Sequence, residues 1–169
     1  MQAEAEKMNF EKAAFIRDQI NALSKTLEKQ LIVSNHNRNQ DVFGFSRKDA
    51  AVGITIMFIR NGVISGSRSF FLEDPYGNDS VILSQALNQF YDKTINIPPK
   101  EILIPFEPDS KKLLEENLTD FLESKVTLNV PIRGDKVHLT KMAKENARNI
   151  FDEKEKQKAS WESLSKSII

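Results

Sequence analysis

Apolar residues recur at spacings of three and four through Ala13, Ile16, Ile20, Leu23 and Leu27. That period predicts a helix with a narrow apolar seam, suited to one partner helix rather than to a broad core. Asn9 is placed to cap it, since its side-chain oxygen can accept from the free amides of the first turn. Glu11 falls in that turn, where the helix dipole favours an acid. Residues 1–7 carry Ala3 and Ala5 among Glu4, Glu6 and Lys7, and read as the end of an earlier helix. The predicted unit is a helical hairpin over 1–33, turning at Met8-Asn9, with its first arm cut short near a chain boundary at Met1.

Residues 34–40, SNHNRNQ, are polar turn formers and read as a linker. The apolar period then shortens to two. DVFGFSR at 41–47 and AVGITIMFI at 51–59 are predicted strands. Val52, Ile54, Ile56 and Phe58 share one face of the second, whose other face is also uncharged, so it should lie inside a sheet. Asn61-Gly62 is a hairpin signal, because both residues tolerate positive φ. The strand after it, 63–71, alternates weakly, holds Arg68 and should lie nearer an edge. A loop, EDPYGND, leads to a helix capped by Asp79 or Ser80, with Leu83, Ala86, Leu87 and Phe90 inward. EILIPF at 101–106 reads as a buried strand. Asp109 or Ser110 should open a helix with Leu114, Leu118, Phe121 and Leu122 inward, and VTLNV at 126–130 is another strand. A last helix should start near Leu139, lined by Met142, Ala143, Ala147, Ile150 and Phe151.

The predicted order over 41–151 is βββαβαβα, with a charged tail or linker at 152–169. A three-strand meander followed by alternating helices and strands implies an α/β domain built on one mixed sheet. The order resembles the ribonuclease H-like fold, which by itself says nothing of activity.

Composition narrows the chemistry. With 24 basic and 24 acidic side chains the net charge is zero, which argues against a dedicated nucleic-acid-binding domain. The chain has no cysteine, so disulfides, thiolate metal sites and cysteine nucleophiles are excluded. No leader is visible and no apolar run approaches the ~18 residues a membrane span needs, so a cytoplasmic protein without membrane contact is expected.

Ribonuclease H-like nucleases hold two divalent metals with clustered carboxylates. Asp41 at the start of the first strand, Asp92 after the first helix of the domain, and Asp152 and Glu153 late in the last helix are the acids to test. The fourth strand, ILIPF, is read as having no acid at all, so no complete metal set, no catalytic residue and no cofactor are expected. The two histidines, His36 and His138, have no evident nucleophile beside them. RNGVISG is a hairpin turn rather than a phosphate loop. Arg60, Arg68, Arg133 and Lys136 are candidate phosphate contacts, and Lys141, Lys144 and Arg148 give the last helix a basic stripe. Weak, non-specific DNA binding is what such a set would support.

MNFEKAAFIRDQINAL resembles the UVR motif, a helical hairpin of bacterial nucleotide excision repair proteins. The match lies in Asn9-Phe10-Glu11, Ala13-Ala14 and Arg17-Asp18-Gln19-Ile20. DVFG directly after it, IRNGVISGSRSF and RGDKVHLTKMAKENA resemble the UvrC family of the bacterial excinuclease ABC over about residues 1–155. The resemblance implies that Phe10, Ala13, Ile16, Arg17, Asp18, Ile20 and Leu23 bind the matching C-terminal hairpin of UvrB. It also implies a ribonuclease H-like domain without catalytic acids. The family's GIY-YIG nuclease, second ribonuclease H-like domain and helix-hairpin-helix region lie outside this stretch. The chain is therefore expected to be a central, non-catalytic part of an excision nuclease. UVR motifs also occur in partners of Clp ATPases and of arginine kinases, which would make it an adaptor. Such adaptors often carry cysteine zinc sites, and the residues after 40 fit UvrC better.

Overall fold

The computed structural model describes residues 38–91 and 96–167. The predicted helical hairpin, most of the linker, His36 and Asp92 lie outside the described residues. Five strands form one mixed sheet in the order β3-β2-β1-β4-β5. β1 (Gln40–Lys48), β2 (Ala51–Arg60) and β3 (Val63–Leu72) make an antiparallel meander. β4 (Glu101–Leu103) and β5 (Thr127–Asn129) add in parallel beyond β1. The helices are α1 (Asp79–Phe90), α2 (Lys111–Leu122) and α3 (Asp135–Ser167), and the order is the predicted βββαβαβα. Among the described residues no helix is long and apolar enough to cross a membrane.

The hairpin turn is the expected one, with Asn61 at φ 53° and Gly62 at φ 77°. Positive φ at both positions matches the twist of the flanking strands. Strand alternation then divides the core. Phe43, Phe45, Ile54 and Ile56 point to the side covered by α1 and α2, where they meet Ile82, Leu83, Leu87, Leu114 and Leu118. Val42, Met57, Ile59 and Leu103 point to the other side, where Leu139 and Ala143 of α3 cover them. β2 lies inside the sheet and β3 at its edge, as the apolar patterns require. β3 alternates weakly for a local reason. A bulge opposite Phe58 and Ile59 gives it one extra residue, Ser65, and shifts every later side chain to the other face.

Three boundaries differ from those expected. Asn78, rather than Asp79 or Ser80, caps α1: its Oδ1 accepts from the Val81 amide at 3.0 Å. Asp79 is thereby placed in the first turn, where it pairs with Arg47 at 2.7 Å. β4 is three residues long, and its apolar run continues as the buried, non-strand Ile104. α3 begins at Asp135, directly after Gly134 at φ 85°, and runs to Ser167. The charged stretch after Phe151 is thus helical as far as Ser167. Its Glu, Lys and Gln residues favour helix without burial. Lys48 pairs with Glu155, and the Lys154 ammonium lies 5.4 Å from the Phe71 ring centre, tying the first turn of that stretch to the sheet.

α3 lies flush on β1 and β2 because two glycines face it. A Cβ on Gly44 would overlap the Ala143 carbonyl, and one on Gly53 would sit 2.6 Å from the Ala147 carbonyl oxygen. Ala143 and Ala147 are fully buried and one helical turn apart. Small residues on both sides bring backbone against backbone.

Candidate functional site

Two buried polar side chains, Gln40 and Asp41, adjoin where β1 begins. Asp41 is 1% exposed, opposite Phe58 in the β1–β2 register. Arg60, at the end of β2, donates from Nη1 to Asp41 Oδ1 at 2.9 Å and to the carbonyls of Gln40 and Ile59. Tyr91, the C-cap of α1, donates its hydroxyl to Asp41 Oδ2 at 2.8 Å. Both carboxylate oxygens therefore have charged or hydroxyl donors. The Arg60 guanidinium also lies 5.8 Å from the Phe58 ring centre. Burial pushes the Asp41 carboxyl above its usual range, although the Tyr91 hydroxyl and the Arg60 charge pull it partway back. Burial, with the Asp41 charge beside it, pushes the Tyr91 hydroxyl well up, so it stays a donor.

A second cluster is one residue away on the strand. Gln40 opposes Glu101 across the parallel β1–β4 pair and donates to its Oε2 at 3.1 Å. Lys136, at the start of α3, donates to Glu101 Oε1 at 2.6 Å. Burial would raise the Glu101 carboxyl, but the hydrogen bonds from Lys136 and Gln40 and the lysine charge outweigh it and hold it below its usual range. The fourth strand does therefore begin with an acid, one already claimed by a cation of the same chain.

The Asp41 shift gives a testable sign. A carboxyl with a raised pKa in the folded state binds protons more readily folded than unfolded. Its contribution to stability is fully present below the unfolded value, near 3.8, and is lost as pH rises through the raised folded value. Asp41→Asn removes that dependence. The unfolding free energy of the variant minus that of the wild type should increase from pH 4 to pH 7 in urea titrations. A difference that falls over this range would show Asp41 to be stabilised as a carboxylate.

The candidate phosphate contacts do not form one surface. Arg60 and Lys136 are engaged by Asp41 and Glu101. Arg68 is exposed on β3, on the side of the sheet that carries α1. Lys141, Lys144 and Arg148 are exposed on α3, on the opposite side, and Arg133 is exposed in the loop before it. Asp152 and Glu153 are exposed on α3, remote in sequence and in strand register from Asp41. Among the described residues no group of three or more His, Asp or Glu side chains is placed to hold a metal ion. Phe10, Ala13, Ile16, Arg17, Asp18, Ile20 and Leu23 lie outside the described residues. The Asp41–Tyr91 pairing is not visible in sequence. The two residues are 50 positions apart, and Tyr91 follows the last periodic residue of α1.

Comparison with known proteins agrees with this architecture. A family model described as "UvrC Ribonuclease H-like domain" matches residues 39–154, and one described as "UvrB/uvrC motif" matches residues 1–26. A UvrABC system protein C from Desulfotalea psychrophila is 52% identical over 164 residues, covering 97% of this chain and 27% of that protein. Proteins of the same name from Desulfatibacillum aliphaticivorans and Caldanaerobacter subterraneus are 36% and 37% identical over 169 and 148 residues. These matches cover 100% and 87% of the chain. The chain spans about a quarter of the length of these relatives, 27% and 24% for the last two.

Proposed function

From the premise that this chain belongs to the UvrC family, with a UVR motif preceding a ribonuclease H-like domain, we propose that it is a docking and spacing unit of the bacterial excision nuclease. Its N-terminal seam binds the UvrB C-terminal hairpin. Its domain holds the nuclease parts of the full-length protein in position without cutting DNA. The observation that carries this reading is the state of Asp41. Arg60 and Tyr91 occupy both oxygens of the carboxylate that a ribonuclease H-like enzyme would use first. A guanidinium at 2.9 Å stands where a divalent cation would have to approach. Displacing it would leave a charge unpaired at the sheet margin, which is costly.

DNA contact in this reading is weak and electrostatic, through Arg133, Lys141, Lys144 and Arg148. Glu145 lies among them and lowers the local field. Four phosphate contacts correspond to a slope of roughly −3 to −4 in log K against log salt.

The test is direct. Incubated with nicked, damaged and single-stranded DNA in magnesium or manganese, the chain should leave all three intact. Binding by fluorescence anisotropy should fall along the slope given above. Cleavage that disappears in Asp41→Asn would overturn the non-catalytic assignment. Tight binding that persists at high salt would overturn the electrostatic one.

A further inference from the structure

On the side of the sheet away from α3, the cover supplied by the described residues is incomplete. α1 lies over β1 and β2 but leaves the margin of β3 open. The result is a groove of about 540 Å³ between β3 and α1, closed at one end by the loop after β3. That volume is within the usual range for small-ligand sites. Its floor is apolar, made by Ile54, Ile56, Leu72 and Ile82. Its walls are aromatic and unusually open: Phe70 is 41% exposed and Tyr76 is 92% exposed. Large aromatics left in solvent around one depression ordinarily mark a contact surface.

The polar groups at the rim select among possible occupants. Gln85 and Gln89 are exposed one turn apart on the side of α1 that lines the groove, and Asn96 lines it as well. A primary amide offers donors and an acceptor together, so it can meet the edge of a nucleobase. Among the described residues that line the groove, Arg68 is the cation and none is a carboxylate. Among the described residues Arg68 forms no ion pair. It differs in this from Arg60 and Lys136, which are claimed by acids. An apolar slot with aromatic walls, amides at the rim and one unclaimed guanidinium is complementary to a flat heteroaromatic ring carrying a phosphate.

We propose that this groove binds an unpaired nucleotide of a single-stranded DNA segment. The base enters between Phe70 and Tyr76, the glutamine amides meet its edge, and Arg68 takes its phosphate. Single-strand binding sites commonly combine stacking aromatics with a cation that tracks the backbone. The commitment to a strand rests on the reading that the domain works beside DNA. The site itself is on the opposite face from the α3 stripe and is not part of that reading. The two faces would engage different features of one substrate, with phosphates of a duplex on α3 and an extruded or unpaired base at β3.

The experiment uses the whole chain and a fluorescein-labelled single strand of 12 nucleotides, read by anisotropy at low salt. A second strand of the same length carries abasic sites in its central positions. Stacking on one aromatic contributes enough that Tyr76→Ala should weaken the intact strand by about fivefold or more. Tyr76 is so exposed that its replacement should leave the fold unchanged, which circular dichroism checks. The abasic strand should bind about as weakly to the wild type as the intact strand binds to Tyr76→Ala. On the abasic strand Tyr76→Ala should have no further effect, whereas Arg68→Gln should still weaken binding. Equal affinity for intact and abasic strands would overturn the proposal, as would wild-type affinity in Tyr76→Ala. Loss of binding only when Lys141, Lys144 and Arg148 are changed to Glu would leave the α3 contact standing and remove this one. Displacement of the strand by an equal concentration of free dAMP would overturn the strand assignment and leave a free-nucleotide site in its place.

Discussion

Gly44→Ala destabilises the domain by about 3 kcal/mol or more, a large share of the 5–15 kcal/mol typical of a folded domain. The added methyl has nowhere to go. It would overlap the Ala143 carbonyl, with the Lys144 amide nitrogen 2.6 Å away. Both obstacles are backbone, so no side-chain rotation relieves the clash. α3 would have to lift, and lifting it opens the interface that Leu139 and Ala143 close over Val42, Met57 and Leu103. Gly53→Ala should act in the same direction through Ala147. Gly66 is the control. A Cβ there would find its nearest neighbour, a Phe58 ring carbon, at 3.9 Å. Gly66→Ala should be neutral or slightly stabilising, because it restricts the unfolded chain without a native-state clash. Urea unfolding of the three variants decides the matter. A wild-type midpoint for Gly44→Ala would mean that α3 does not lie flush on β1.

On the proposed docking, Ile20→Asp should weaken binding to the UvrB C-terminal hairpin by more than about tenfold. Ile16, Ile20 and Leu23 form the centre of the predicted seam. Burying one such side chain is worth about 1.5–3 kcal/mol, and an aspartate there would also strand a charge in an apolar contact. In the proposed docking, Phe10 would anchor the turn and Ala13 would continue the seam. Arg17 and Asp18 are proposed to set the pairing by charge, so reversing either should act mainly on the association rate. Among the described residues, the core of the ribonuclease H-like domain is composed of residues after 40. Circular dichroism and thermal unfolding of Ile20→Asp should therefore show that domain intact. Equal calorimetric affinity of wild type and variant for the UvrB hairpin peptide would remove the seam from the interface. Loss of the folded domain would place the helix in this chain's own core.

The parts of the fold legible in sequence are those governed by near neighbours. The alternation of Val52, Ile54, Ile56 and Phe58 reports a strand packed on one face, and Asn61-Gly62 reports its turn. The bulge at Ser65 is hidden, because a single extra residue in an edge strand costs little and leaves no compositional trace. Gly44 inside a strand pattern is a sign of close backbone approach that its neighbours do not explain. Only the position of α3, about a hundred residues later, gives the reason. The extent of α3 departs from expectation because a charged run with few apolar residues looks like a linker. In a helix already nucleated by packing, such residues extend it at little cost. At the polar cluster, Asp41 and Arg60 both stand out in sequence, but in separate roles as candidate metal ligand and candidate phosphate contact. Their contact follows from the β1–β2 register, and the third member, Tyr91, is delivered by the end of a helix. Tyr76 and Phe70 carry no signal in the chain, since exposure is a property of the tertiary arrangement.

α3 has 33 residues, hence an axial length of about 50 Å, and its last buried residue is Phe151. The 16 residues from there to Ser167 carry the axis about 24 Å further, without a loop to absorb error. Such a rod transmits angle as well as distance. Each residue added or removed in it turns its far end by about 100° and moves it by only about 1.5 Å. A deletion of one residue would therefore face that end away from its former bearing, while a deletion of seven would nearly restore the bearing and shorten the reach by about 10 Å. Length changes in this stretch are in effect quantised: tolerance should follow the helical repeat rather than the number of residues.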